Sequence, residues 1–142
     1  MGKPQILLLT HGGWGMSLME GVRMVIGAVD FVKEVPLRPQ VTFQEYLTLV
    51  REAADAMPDG SLILTDMFGG TTTNAGALVG REKNIRVFSG LNAPLLIEAC
   101  LGLMEEGKID FDSVLETGET SVMDVIEKIT KSLKEKEVEK NG

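Results

Sequence analysis

The constraint that most narrows the fold is an alternation along most of the chain: short apolar runs, each followed by a turn and then by apolar residues at helical spacing. Gln5-Ile6-Leu7-Leu8-Leu9-Thr10 is continuous in apolar character rather than alternating, as a strand covered on both faces of a parallel sheet should be. After His11-Gly12-Gly13-Trp14-Gly15, apolar residues recur at Leu18, Val22, Val25 and Ile26, which predicts an amphipathic helix stopping near Gly27. Phe31 to Leu37 reads as a second strand, and Thr42-Phe43-Gln44-Glu45 opens a helix with a capping-box pattern. That helix runs through Leu49, Val50 and Ala53 to the turn Pro58-Asp59-Gly60. Ser61 to Thr65 is the third strand, followed by Asp66-Met67-Phe68-Gly69-Gly70 and a helix from about Thr72 to Val79. Ile85 to Ser89 is the fourth, with a helix after Pro94, a residue suited to a first helical turn.

Parallel neighbours need crossover connections, so strands alternating with helices predict an α/β fold: a doubly wound, mostly parallel open sheet of four strands with helices on both faces. In such sheets ligands bind outside the carboxyl ends of the strands, which here carry His11, Asp66 and the turn Ser89-Gly90-Leu91-Asn92. Beyond Thr117 the apolar residues Val122, Val125, Ile126, Ile129 and Leu133 keep helical spacing. One domain over 1–133 is expected, with 134–142 a charged tail that frays and carries no chemistry.

Composition excludes several functions. A formal charge of −7 disfavours nucleic acid as a partner, because that affinity depends on Lys and Arg displacing counterions from phosphates. Cys100, the single cysteine, has no partner for an intrachain disulfide and sits in an apolar run, where it reads as a small buried hydrophobe. Residues 1–9 lack the pattern of a secretory signal, and no apolar stretch approaches the roughly 20 residues of a membrane span. A cytoplasmic protein with no membrane insertion is the expectation.

His11, the only histidine, follows a buried strand directly and precedes two glycines, which places its imidazole at the rim where backbone approaches a ligand closely. Asp66 stands at the equivalent end of the third strand, so the two side chains are expected to meet in one crevice. A carboxylate accepting from one ring nitrogen fixes the tautomer, leaves the other nitrogen as a nucleophile, and stabilises the positive ring that forms on attack. Gly69-Gly70-Thr71-Thr72-Thr73-Asn74 leads into a helix whose free N–H groups and hydroxyls suit a tetrahedral dianion, although a hydroxyl-rich helix start is also an ordinary N-cap. One histidine and no cysteine cluster leave no zinc site of the usual kind, and neither a P-loop nor a dinucleotide fingerprint is present.

Thr10-His11-Gly12, then Leu64-Thr65-Asp66-Met67-Phe68-Gly69-Gly70-Thr71 with Asn74, then Ser89-Gly90-Leu91-Asn92-Ala93-Pro94-Leu95-Leu96-Ile97-Glu98 resemble the IIA component of the mannose-type sugar phosphotransferase system. The resemblance covers about residues 4–120, with all three motifs in order. It implies that His11 takes a phosphoryl group from the histidine-containing phosphocarrier protein and gives it to a IIB component, while Asp66 orients the imidazole. It also implies that Thr71, where the family usually has serine, binds the phosphoryl oxygens; Gly12 and Gly70 are the adjoining backbone candidates. Family members dimerise, and a fifth, antiparallel strand exchanged between subunits would fall at about residues 119–123, in competition with the helical spacing of that stretch. Thr72, Thr73 and Ala93 depart from the family pattern, standing where it has a proline, an aromatic and a larger aliphatic residue.

The mechanism this implies is in-line transfer between nitrogen atoms, reversible without a cofactor, nucleotide or tightly held metal. Trp14, Met67, Phe68 and Leu91 are the apolar candidates for a protein-docking face around His11, though each also suits a core. Two alternatives remain open at the level of sequence. A phosphohydrolase would need a second acid and a cationic clamp, and the three motif loops contain neither Arg nor Lys. A regulatory module would use phosphorylation of His11 to switch its binding to a transporter or transcription regulator.

Overall fold

A computed structural model of the chain describes residues 2–141. Four strands, β1 (Ile6–His11), β2 (Val32–Leu37), β3 (Leu62–Thr65) and β4 (Arg86–Ser89), form one sheet in the order β2-β1-β3-β4. Every strand pair is parallel, as the continuous apolar runs predict. The helices are α1 (Trp14–Ile26), α2 (Phe43–Asp55), α3 (Thr71–Lys83), α4 (Ala93–Glu106), α5 (Phe111–Glu119) and α6 (Val125–Asn141).

The side-chain period of two divides β1 and β3 between two cores. Ile6, Leu8, Leu62 and Leu64 pack on one face with Met19 and Val22 of α1, Leu96 and Ala99 of α4 and Val114 of α5. Leu7, Leu9 and Ile63 pack on the other with Tyr46, Leu47 and Val50 of α2 and Ala75 and Val79 of α3. The sheet is therefore wrapped on both sides, and β1 and β3 lie at its centre, where their ends are neighbours. Close approach holds α3 to the sheet: a Cβ added to Gly76 would meet Leu9 and Thr65 side-chain carbons at 3.1 Å. Cys100 is fully buried, and burial pushes its thiol up to about 12 despite the opposing field of Arg23, so it is inert packing.

Two segments differ from the sequence reading. Helix α5 falls where no element was expected: Asp110 caps it by accepting from the Ser113 N–H at 3.1 Å, and Val114 and Gly118 turn inward. Within the single chain, residues 119–123 are the end of α5 and an irregular link to α6. The helical spacing prevails from Val125 onward and continues through the charged tail to Asn141, yet α6 buries no residue.

Candidate functional site

The register that pairs Leu9 with Thr65 sets Asp66 level with Thr10, one residue before His11, so both site residues emerge at the rim. Backbone continuity fixes the carboxylate first, because the Asp66 N–H donates to the Leu9 carbonyl at 3.0 Å. Asp66 Oδ2 accepts from the His11 backbone N–H at 2.7 Å and lies 2.8 Å from His11 Nδ1, with the Trp14 indole N–H more distant at 3.4 Å. Asp66 Oδ1 accepts from the Thr72 hydroxyl at 2.8 Å. The expected pair of imidazole and carboxylate is thus formed.

Burial disfavours charge on Asp66, but the hydrogen bonds from the His11 backbone, the His11 ring and Thr72 outweigh it and hold the carboxyl below the usual carboxylate range. An ionised carboxylate only accepts, so His11 Nδ1 carries the proton and Nε2 keeps its lone pair in the neutral ring. The two side chains differ in access: Asp66 is completely covered, whereas 43% of the His11 side chain is exposed. With Nδ1 held against Asp66, the exposed part of the ring is open to solvent and to any macromolecule that docks on the rim.

The chain leaves β1 through Gly12 and Gly13, at φ 72° and 87°, a left-handed path that a Cβ would oppose. Gly13 is the N-cap of α1 and has no side chain to cap with. Glu34 of β2 substitutes for it: its carboxylate accepts from the Gly15 N–H at 2.7 Å, the Met16 N–H at 3.3 Å and the Thr10 hydroxyl. The helix that follows His11 is thereby tied to the neighbouring strand.

On the other side of the ring, α3 begins at Gly70 without a side-chain cap, so its first N–H groups are free for an anion. The Cβ position of Gly70 lies 3.7 Å from His11 Cε1 and 3.9 Å from Nε2, which sets the start of α3 against the reactive edge of the imidazole. Thr71 and Gly12 line a cavity of about 360 Å³ together with His11, Leu37, Arg38 and Phe43. Thr73, the third hydroxyl of that turn, faces inward to Thr65 at 2.7 Å and to the Met67 carbonyl, where it braces the loop.

Of the apolar docking candidates, Trp14, Met67 and Phe68 are exposed, Phe68 to 85%. Leu91 is not available: its N–H donates to the Thr65 carbonyl at 3.0 Å, and its side chain turns into the core beside Leu95. Two neighbours of the pair differ from the motif reading: Thr72, named there among the hydroxyls suited to a dianion, serves Asp66 instead, and Arg38 lies outside the motifs. Thr72 holds the second carboxylate oxygen, and Arg38 arrives from the β2–α2 loop, donating to the Gly12 carbonyl at 3.0 Å. Arg38 directly follows the end of β2, so the strand-end rule applied to every strand would have found it.

Comparison with known proteins bears on the family and the fold. A family model described as EIIA-man, PTS system fructose IIA component, matches residues 5–116. The search of curated proteins gives no match. Among solved structures, a phosphotransferase system component EIIA from Streptococcus agalactiae is 23% identical, with a TM-score of 0.76 over 85% of this chain and 96% of the other. A PTS IIA protein associated with the fucose utilization operon from Streptococcus pneumoniae is 21% identical, with a TM-score of 0.77 over 91% and 99%. A mannose/sorbose specific IIA subunit from Enterococcus faecalis is 21% identical, with a TM-score of 0.76 over 87% and 95%. At these identities the structures attest the fold, and the match over 5–116 attests the family. The chain belongs to the EIIA-man family, the fructose IIA components of the sugar phosphotransferase system.

Proposed function

We propose that the protein is a cytoplasmic phosphoryl carrier: His11 Nε2 accepts a phosphoryl group from the histidine-containing phosphocarrier protein and passes it to a IIB component of a sugar transporter. The observation that carries this reading is the 2.8 Å contact of His11 Nδ1 with the buried Asp66, which leaves Nε2 exposed beside the uncapped start of α3. No described helix is long and apolar enough to cross a membrane.

In the transfer, the Nε2 lone pair forms a bond to the incoming phosphorus while the donor nitrogen takes back the electron pair of the bond that breaks. No proton changes hands, because Nδ1 keeps its own against Asp66 throughout, and the positive charge that develops on the ring falls next to that carboxylate. Gly70 and Thr71 contact the phosphoryl oxygens, whereas Gly12, expected to share that role, has its N–H committed to the Leu37 carbonyl at 2.8 Å and only borders the site. Trp14, Met67 and Phe68 form the apolar ground on which partner proteins dock. The carrier works as a homodimer, in which the exposed α6 residues Ile126, Ile129 and Leu133, spaced by three and four residues, are covered by the second copy.

The test is to mix the protein with phosphoenolpyruvate, the general phosphotransferase enzymes and candidate IIB proteins, and to follow acid-labile phosphate. Labelling that discharges only when IIB is added is the expected result, and His11→Ala abolishes it. Retained labelling in that variant rejects the assignment, and loss of the label to water without an acceptor favours hydrolysis instead.

A further inference from the structure

We propose that Arg38 is a direct contact of the phosphoryl group on His11, a cationic clamp contributed by the β2–α2 loop; this rests on the phosphocarrier reading above. Three observations meet at this residue. Its guanidinium is fastened to the turn that carries the histidine: Nη1 donates to the Gly12 carbonyl at 3.0 Å, and Nη2 lies 3.4 Å from the Cβ position of Gly13. It borders the same cavity as His11 and Thr71, where it is the one cation of the lining. Among the described residues no carboxylate lies within ion-pair distance of it, whereas Arg51 and Lys83 are both so paired.

Charge explains why such a group belongs there. Phosphorylation brings about −1.5 to −2 charges to a rim that already holds the ionised Asp66, on a chain whose formal charge is −7. Asp66 has its acceptors committed to His11 and Thr72, so it gives the phosphoryl group repulsion rather than a partner. The N–H groups of the α3 start cover one side of that group, and Arg38 covers the side facing Leu37 and Phe43. A planar fork donates to phosphoryl oxygens in pairs. Anchoring one arm on Gly12 in advance lowers the entropy lost when the remaining N–H groups engage. During transfer no bond of Arg38 changes: the phosphoryl group moves from donor nitrogen to Nε2, and the guanidinium stays protonated and only offsets the charge.

The experiment uses the full chain charged at His11 with phosphoramidate, a small nitrogen–phosphorus donor that needs no protein partner. The 31P resonance is titrated with pH in the wild type, Arg38→Gln and Arg38→Lys. The clamp holds the phosphoryl group in its more ionised form, so the titration midpoint in Arg38→Gln should lie about half a unit to one unit above wild type, with Lys intermediate. Raising salt to about 1 M should move the wild-type midpoint toward that of Arg38→Gln, a readout independent of any substitution. Coincident midpoints in the three proteins overturn the clamp, also when Arg38→Gln raises the KM for the protein donor, since Arg38 is then a partner contact. A wild type that takes no phosphoryl group from either phosphoramidate or the protein donor overturns the carrier reading together with the clamp.

Discussion

The ends of β1 and β3 lie side by side at the rim and are built in opposite ways. At the end of β3, Asp66 is covered and both of its oxygens are engaged, by His11 and by Thr72. At the end of β1, His11 is exposed on a turn of two left-handed glycines, held through its backbone and one ring nitrogen. The contrast shows how an open site acquires fixed geometry: His11, the proposed phosphoryl acceptor, stays accessible because its neighbour absorbs the burial and the hydrogen bonding. Stability should therefore reside at one strand end and reactivity at the other.

The largest break in that division comes from Asp66→Ala, which strands the His11 backbone N–H and the Thr72 hydroxyl at a buried site and should cost about 3 kcal/mol in urea unfolding. The same carboxylate gives the wild type an acid limb. Its folded pKa is depressed, so its stabilisation is complete above the ordinary carboxylate value of about 3.9 and is lost as pH falls through the lowered folded value. Unfolding curves recorded down through that range should converge for the wild type and Asp66→Ala. A smaller effect follows from Thr72→Val, which keeps the shape but leaves Asp66 Oδ1 without its donor; a loss of about 1–2 kcal/mol is expected, with labelling of His11 slowed rather than abolished. The smallest stability change belongs to His11→Ala, about 1 kcal/mol or less, since the backbone N–H to Asp66 remains, although labelling disappears. If His11→Ala destabilises the protein as much as Asp66→Ala does, the proposed division between the two strand ends fails.

The parts of this arrangement that depend on burial were legible in the residues. The runs Ile6–Leu9 and Leu62–Leu64 announce strands covered on both faces, and the strand-end rule then places His11 and Asp66 together. What stayed hidden depends on side-chain direction or on pairing across distant segments. Leu91 sits in a loop motif, and only the ladder bond to Thr65 shows that it points inward. Glu34 looks like an ordinary polar residue of an edge strand, yet it caps a helix that begins twenty positions earlier in the chain. Arg38 belongs to no motif and reaches the site because β2 neighbours β1. Helix α5 carried a usable signal, Asp110 three residues before Ser113, but it is short and its apolar residues merge into the longer spacing that follows.

Pro36 has a bearing on how the sheet can grow. Bonds from the Ile6 N–H to the Phe31 carbonyl and from the Gly12 N–H to the Leu37 carbonyl turn the odd-numbered backbone groups of β2 toward β1. Val32, Glu34 and Pro36 therefore present theirs outward, and proline has no hydrogen to offer. An incoming ribbon would find the donor row on that margin interrupted beside Thr10, whereas the outer margin of Arg86–Ser89 contains no proline. Edge-to-edge addition is thus disfavoured next to His11, and a foreign strand finds its complete donor row at the far border, away from the imidazole.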